Sequence, residues 1–256
     1  MLKVDLNADL GESFGAYKIG MDDEVITRIT SANIACGWHA GDPAVLGKTI
    51  AKAKANGTAI GAHPGYPDLM GFGRRNLSVS PSDMHDYVLY QLGAFFAFAK
   101  KYCADIQHLK AHGAMYNMAG KDINLALAIC RAVKNFDQSI ILLGLAGSKL
   151  IEAAEEMGLR SASEVFADRA YEEDGSLVAR TKTGAMIHDE DISVARVVKM
   201  VRTGYVTTIT GKEIPVKADS ICIHGDSPKV LTFVEKIRTT LVIEGVDVVN
   251  LGSFVK

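Results

Sequence analysis

Ionisable and metal-ligating residues in this chain fall at recurring places, just after short apolar runs. Asp9 and Glu12 follow "KVDLN"; Asn33, His39 and Asp42 lie in or after "SANIAC"; His63 follows "TAIGA". Lys110 and His112 end "IQHLKAH", Glu164, Asp168 and Arg169 lie in and after "SASEVFA", and His224 and Asp226 end "DSICIHGD". Four histidines so placed, beside carboxylates and a lysine, point to proton transfer near neutral pH. Imidazole and carboxylate also suit a catalytic divalent ion, and His39, His63, His224 and Asp9 make one candidate set. Their spacing does not test it, because such ligands would come from separate segments. The loop "AHPGYPDLMGFGRR" adds Asp68, Arg74 and Arg75 to His63. Its prolines and glycines indicate a structured loop, able to bind an anion or assist proton transfer.

Elements that bring these residues together are readable as β–α units. Strands are expected at "KVDLN", "SANIAC", "TAIGA", "IQHLKA", "SIILLG", "SASEVFA", "DSICIHG" and "VDVVNL". Helices begin at Asp42-Pro43, Ser80-Pro81, Asp122 and Ser227-Pro228, where a side-chain oxygen caps the first turn and proline sits harmlessly at its start. One hairpin, "YVTTIT-GK-EIPVK", turns at Gly211 and Lys212. Repeated β–α units imply a parallel sheet covered by helices. Seven or eight strands in 256 residues favour a closed (β/α) barrel, one domain over residues 1–256, rather than an open doubly wound sheet. Alternation then sends Asp5, Asn7 and Asp9 inward and Val4, Leu6 and Ala8 outward. Lys110 and His112 share His108's parity; His108 lies deeper and is read as packing, while His85 and His188 are read as surface residues. Parallel strands deliver their carboxyl ends to one rim, where barrel enzymes build their sites.

Bulk properties exclude several classes. A formal charge of −2 argues against a nucleic-acid partner. No apolar run approaches the roughly 20 residues that span a bilayer. The start "MLKVDLNADLGES" lacks a secretory core, and four scattered cysteines form no CxxC pair, so a cytoplasmic location is expected. "GDPAVLGKT" is not a phosphate loop, since five residues rather than four separate its glycines and Gly47-Lys48-Thr49 falls inside a capped helix. There is no Gly-x-Ser-x-Gly elbow and no His-Glu-x-x-His helix.

Six stretches together resemble the LamB/YcsF family: "DLNADLGESFG", "SANIACGWHAGDP", "IGAHPGYPDLMGFGRR", "KAHGAMYN", "EVFADRAY" and "ICIHGDSP". They run in the family's order from Asp5 to Pro228. Two departures, Ala111 in "KAHG" and Ala179 in "LVAR", stand where the family usually has proline and alter no ionisable group. The resemblance implies a barrel of the glycoside hydrolase/deacetylase type with seven strands. It also implies ATP-dependent opening of 5-oxoproline to L-glutamate, in company with 5-oxoprolinase subunits B and C.

Opening an activated lactam needs a base for water, an acid for the departing nitrogen and cationic donors for the oxyanion. Under the resemblance, Asp9 or Glu12 is the base, and His63, His112 or His224 is acid or base. Lys110 holds negative charge, and Arg74 or Arg75 takes the substrate carboxylate. Asn7, Asn33, His39, Asp42, Asp168, Arg169 and Asp226 complete the candidate substrate contacts. ATP is expected to be handled with the partner subunits, and a divalent metal fits the residue types. Two rival readings are a stand-alone metal-dependent deacetylase or amidase of the same barrel type, and a non-catalytic subunit that presents substrate.

Overall fold

A computed structural model describes residues 2–223 and 230–256. His224, Asp226 and the Ser227-Pro228 helix start lie outside the described residues. In chain order, β1 (Leu2–Leu10) leads through α1 (Asp22–Val25) to β2 (Ser31–Ala35), α2 (Pro43–Asn56) and β3 (Ala59–His63). There follow α3 (Pro81–Lys101), β4 (Ile106–Leu109), α4 (Gly113–Ala119), α5 (Ile123–Phe136), β5 (Ile141–Leu145), α6 (Lys149–Glu156) and β6 (Ser161–Phe166). After α7 (Glu190–Thr203), β7 (Tyr205–Thr207) and β8 (Glu213–Pro215) come β9 (Ser220–Cys222), α8 (Val230–Ile243) and β10 (Val246–Val248).

Seven parallel strands close a ring in the order β1-β2-β3-β4-β5-β6-β9, with β9 bonded to both β6 and β1. This is the seven-stranded barrel that the family resemblance implied. The eighth apolar run, β10, pairs in parallel with Leu2–Val4 and lies outside the ring. β7 and β8 form the antiparallel hairpin, and its connection spans Thr208–Lys212, longer than a two-residue turn.

Local chemistry explains the helix starts. Asp42 accepts from the backbone N–H groups of Ala44 and Val45, Ser80 from Asp83, and Asp122 from Asn124. Gly57, with φ of 71°, ends α2 in the left-handed conformation that suits glycine.

Val4, Leu6, Ala8 and Leu10 are buried on the outer face of β1 in the main apolar core. The ring's interior has two halves. Towards β5 and the start of β6 it is apolar, where Ile141, Leu143 and Ala162 pack with Leu251 of the C-terminal turn. Towards β1–β4 it is polar and internally bonded. Asp5 accepts from Thr30, Ser31 and Ser220, and Asn7 donates to Ser220. His108 Nε2 bonds Asn33 Oδ1 at 2.7 Å, which bears out its packing role. Gly61 makes room for it, because a Cβ there would overlap the His108 ring.

Candidate active site

His63 is the last residue of β3 and is 1% exposed. Its Nδ1 lies 2.7 Å from the Lys110 carbonyl, an acceptor only, so Nδ1 carries the proton and Nε2 the lone pair. His112, at the N-terminal boundary of α4, places Nε2 2.8 Å from the Phe72 carbonyl, which leaves the lone pair on Nδ1. The two lone-pair nitrogens, His63 Nε2 and His112 Nδ1, face each other at 3.0 Å. Two neutral rings held in these tautomers repel there, and a cation between them relieves the conflict.

Surrounding groups agree with a cation. Glu12 Oε1 lies 3.5 Å from His112 Nδ1 and 3.4 Å from His39 Nε2, and Asp9 Oδ2 is 3.4 Å from His63 Nε2. One ligand atom each from Glu12, His39, His63 and His112 falls within 4.8 Å of all the others. The backbone carbonyls that fix His63 and His112 act as the outer partners that orient metal-binding imidazoles. His39 stacks on His112 with centroids 3.7 Å apart, and its buried Nδ1 has no hydrogen-bond partner among the described residues. Three imidazoles and a carboxylate form a donor set that suits a divalent ion of the zinc type. Burial, then the neighbouring rings, hold His39 and His112 well below the usual histidine pKa, which keeps both rings neutral as ligands must be.

The glycines of the His63 loop serve this packing. A Cβ on Gly65 or Gly73 would collide with His39, and Gly73 also abuts His112. Phe72 takes a left-handed backbone (φ 53°), an unusual state for a bulky residue. Its carbonyl receives His112, and its ring meets His39 and His112 edge-on.

Beside the histidines, Lys110 crosses the interior with its Nζ 2.7 Å from Glu164 Oε1, 3.0 Å from Asp9 Oδ1 and 3.3 Å from Asn7 Oδ1. Burial pulls the ammonium down, yet the Asp9 and Glu164 carboxylates outweigh it and hold its pKa well above the lysine range. Burial also opposes ionisation of Asp9, but the Lys110 ammonium beside it helps to drive its pKa well below normal. Glu12 goes the other way, raised by burial and by Asp9.

A cavity of about 1020 Å³ opens over this centre, lined by Asp9, Glu12, His63, Lys110 and His112. Arg74, whose guanidinium lies 4.9 Å from the Phe72 ring centroid, and Arg169 also line it. Other expected contacts lie elsewhere. Asn7 and Asn33 are wholly buried beneath the floor, where Asn33 bonds Asn7 and Asp9, so they brace Asp9 rather than meet a ligand. His39 lies behind His112. Asp42 is spent on capping α2 and on the Gly15 N–H. Arg75 is paired to Asp68, which fixes it to its own loop. Asp168 is half-buried off the cavity wall, where its backbone turns to pair with Ile187. Unanticipated are Tyr116, whose hydroxyl donates to Glu164 Oε2 at 2.6 Å, and Asp22, on the cavity wall and bonded to the Gly11 N–H. Tyr116 had a signal: it sits one helical turn after His112, within "KAHGAMYN".

Fold and site together define a seven-stranded parallel barrel with an ionisable, cation-competent centre at the carboxyl ends of its strands. The LamB/YcsF family model matches residues 4–256, and the chain belongs to that family. It is 58% identical over 255 residues to a Campylobacter jejuni protein named as the A subunit of 5-oxoprolinase, covering 100% of both chains. The crystal structure of a Thermus thermophilus lactam utilization protein superposes with a TM-score of 0.91 at 43% identity, covering 97% of this chain and 99% of that one. A family 4 carbohydrate esterase from Streptomyces lividans shares the fold at 10% identity and a TM-score of 0.50, over 96% of this chain and 91% of the esterase.

Proposed function

We propose that this chain is the ring-opening subunit of an ATP-dependent 5-oxoprolinase, converting 5-oxoproline to L-glutamate with partner subunits B and C in the cytoplasm. The observation that carries this reading is the 58% identity, end to end, to a protein named as the A subunit of 5-oxoprolinase. A five-membered lactam closes intramolecularly at high effective molarity, so hydrolysis gains little from release of the amine. ATP changes that balance if partner subunits first phosphorylate the lactam oxygen. This chain then adds water to the activated carbon; the ring C–N bond breaks with protonation of the nitrogen to leave a γ-glutamyl phosphate, and a second water releases phosphate and L-glutamate.

Each lining residue has a part. Arg74 pairs with the substrate carboxylate, since a guanidinium presents two parallel donors. Lys110 meets the lactam oxygen, which carries the phosphoryl group on the activated substrate, and stabilises the negative charge there. Asp9, held ionised between Lys110 and His63, takes a proton from the attacking water and returns it to the departing ring nitrogen. Glu12, His39, His63 and His112 would hold a divalent cation, which would supply Lewis acidity when bound.

The cation-competent cluster favours a second reading, a stand-alone metal-dependent amidase or deacetylase. Mixing the purified chain with its partner subunits and measuring glutamate release with and without ATP decides between them. Release that requires partners and ATP supports the first reading. Amide hydrolysis by the chain alone, abolished by a chelator, supports the second.

A further inference from the structure

Among the described residues, Glu164 is the one carboxylate at this centre that cannot touch a ligand. It is fully buried on β6, points inside the ring and does not line the cavity. Its two oxygens are nonetheless both engaged: Oε1 lies 2.7 Å from Lys110 Nζ, and Oε2 accepts the Tyr116 hydroxyl at 2.6 Å. Tyr116 is itself wedged edge-on against Phe166, two residues along β6, and Phe166 lies 5.5 Å beneath the Lys110 ammonium.

We propose that Glu164 and Tyr116 are positioning residues for Lys110, fixing its ammonium where the carbonyl oxygen of a lactam substrate meets it. The inference rests on the ring-opening reading. A lysine carries its charge on a flexible four-carbon stem and loses much rotamer freedom when it is pinned. Asp9 alone could not set its place, because Asp9 also faces His63. Glu164 pulls from β6, two strands round the ring from β1. The ammonium is thereby held between β1 and β6, with Asn7 and Cys222 Sγ at 3.3 Å completing its contacts. The phenol prevents the inner carboxylate oxygen from being left without a donor in an apolar surrounding. A merely structural role explains the arrangement poorly. A buried ion pair is often replaceable by apolar packing of similar volume at no loss of stability.

The test uses the assembled complex with Glu164→Gln, Tyr116→Phe and the double variant, alongside thermal midpoints. Glutamine preserves the shape but removes the negative charge that draws the Lys110 ammonium, and the Tyr116 hydroxyl can reverse to accept from its amide. Glu164→Gln should lower kcat about 10²-fold with KM changed less than about threefold, because the lost interaction forms in the transition state. Tyr116→Phe should lower kcat about tenfold, and the double variant should be no slower than Glu164→Gln alone, since both act through one ammonium. A kcat near wild type, a change confined to KM, or fully multiplicative effects in the double variant would overturn the proposal. A crystal structure of Glu164→Gln gives a readout independent of turnover. Lys110 should leave its wild-type rotamer, and one unchanged rotamer counts against positioning even if the wild-type complex releases no glutamate, an outcome that would instead refute the ring-opening reading.

Discussion

At the scale of single residues, tautomers decide what the centre can do. His63 and His112 each spend one N–H on a backbone carbonyl, so their remaining nitrogens present lone pairs to one shared point. Purified protein dialysed without chelator should retain about one equivalent of a divalent transition ion per chain, and His112→Ala should lose it; elemental analysis by plasma mass spectrometry reads both. Protein that stays metal-free after incubation with zinc or manganese would contradict the assignment. Under the ring-opening reading the proposed anchor for the substrate carboxylate is Arg74, which lines the cavity, whereas Arg75 is paired to Asp68 within its own loop. Arg74→Lys should weaken 5-oxoproline binding by about 1–3 kcal/mol in calorimetry, since a point charge replaces a fork. Unchanged affinity would place the carboxylate elsewhere. The sequence could not separate these neighbouring arginines. Their types are identical, and only the fold of the loop shows which one Asp68 holds.

At the scale of elements, what is local was legible and what depends on distant pairing was not. The caps at Asp42, Ser80 and Asp122 are decided within a few residues, and each was readable. The inward parity of Asp5, Asn7 and Asp9 followed from alternation alone. By contrast, β10 outside the ring depends on register with Leu2–Val4, over 240 residues away in sequence, and nothing in "VDVVNL" marks it as different. Glu164 was visible as an inward strand residue, but its pairing with Lys110 and Tyr116 required the closed ring. Two predictions belong here. Gly61→Ala would drive a methyl into the rigid His108 ring and should cost about 1–3 kcal/mol in urea unfolding, the usual range for overpacking. Asp5 is the second case. Burial outweighs its three hydroxyl donors and raises its pKa from 3.8 to about 6. The folded state then binds the proton more tightly than the unfolded chain, so stability from this group is present at low pH and is lost as pH rises from about 4 to 6. The shift corresponds to about 3 kcal/mol, and Asp5→Asn should remove that slope. Parallel stability profiles of the two proteins across this window would show Asp5 to be silent.

At the scale of the whole molecule, the architecture supplies a large cavity at the carboxyl ends of the strands, and the stretch nearest to a phosphate loop does not build one. The stretch that comes nearest to a phosphate loop, Gly47-Lys48-Thr49, lies within α2, where Thr49 Oγ1 donates back to the Val45 carbonyl. Its amides already belong to the helix and cannot cradle a phosphate. The cavity, at about 1020 Å³, is several times larger than a five-membered lactam and accommodates an activated substrate. No helix among the described residues is long and apolar enough to cross a membrane. Under the ring-opening reading, the isolated chain should neither hydrolyse ATP nor release glutamate from 5-oxoproline at a useful rate, and adding partner subunits should restore both. A coupled assay for phosphate and glutamate, run on chain of demonstrated purity, checks this directly. Variants at Asp9, Lys110 and His63 refine the answer: under the ring-opening reading they cut glutamate release about 10²-fold or more in the assembled complex. If ATP hydrolysis by the partners continues in those variants while glutamate release stops, activation and ring opening are separate events on separate chains. If both stop together, this chain takes part in activation as well, and the assignment of the chemical step to the barrel alone fails.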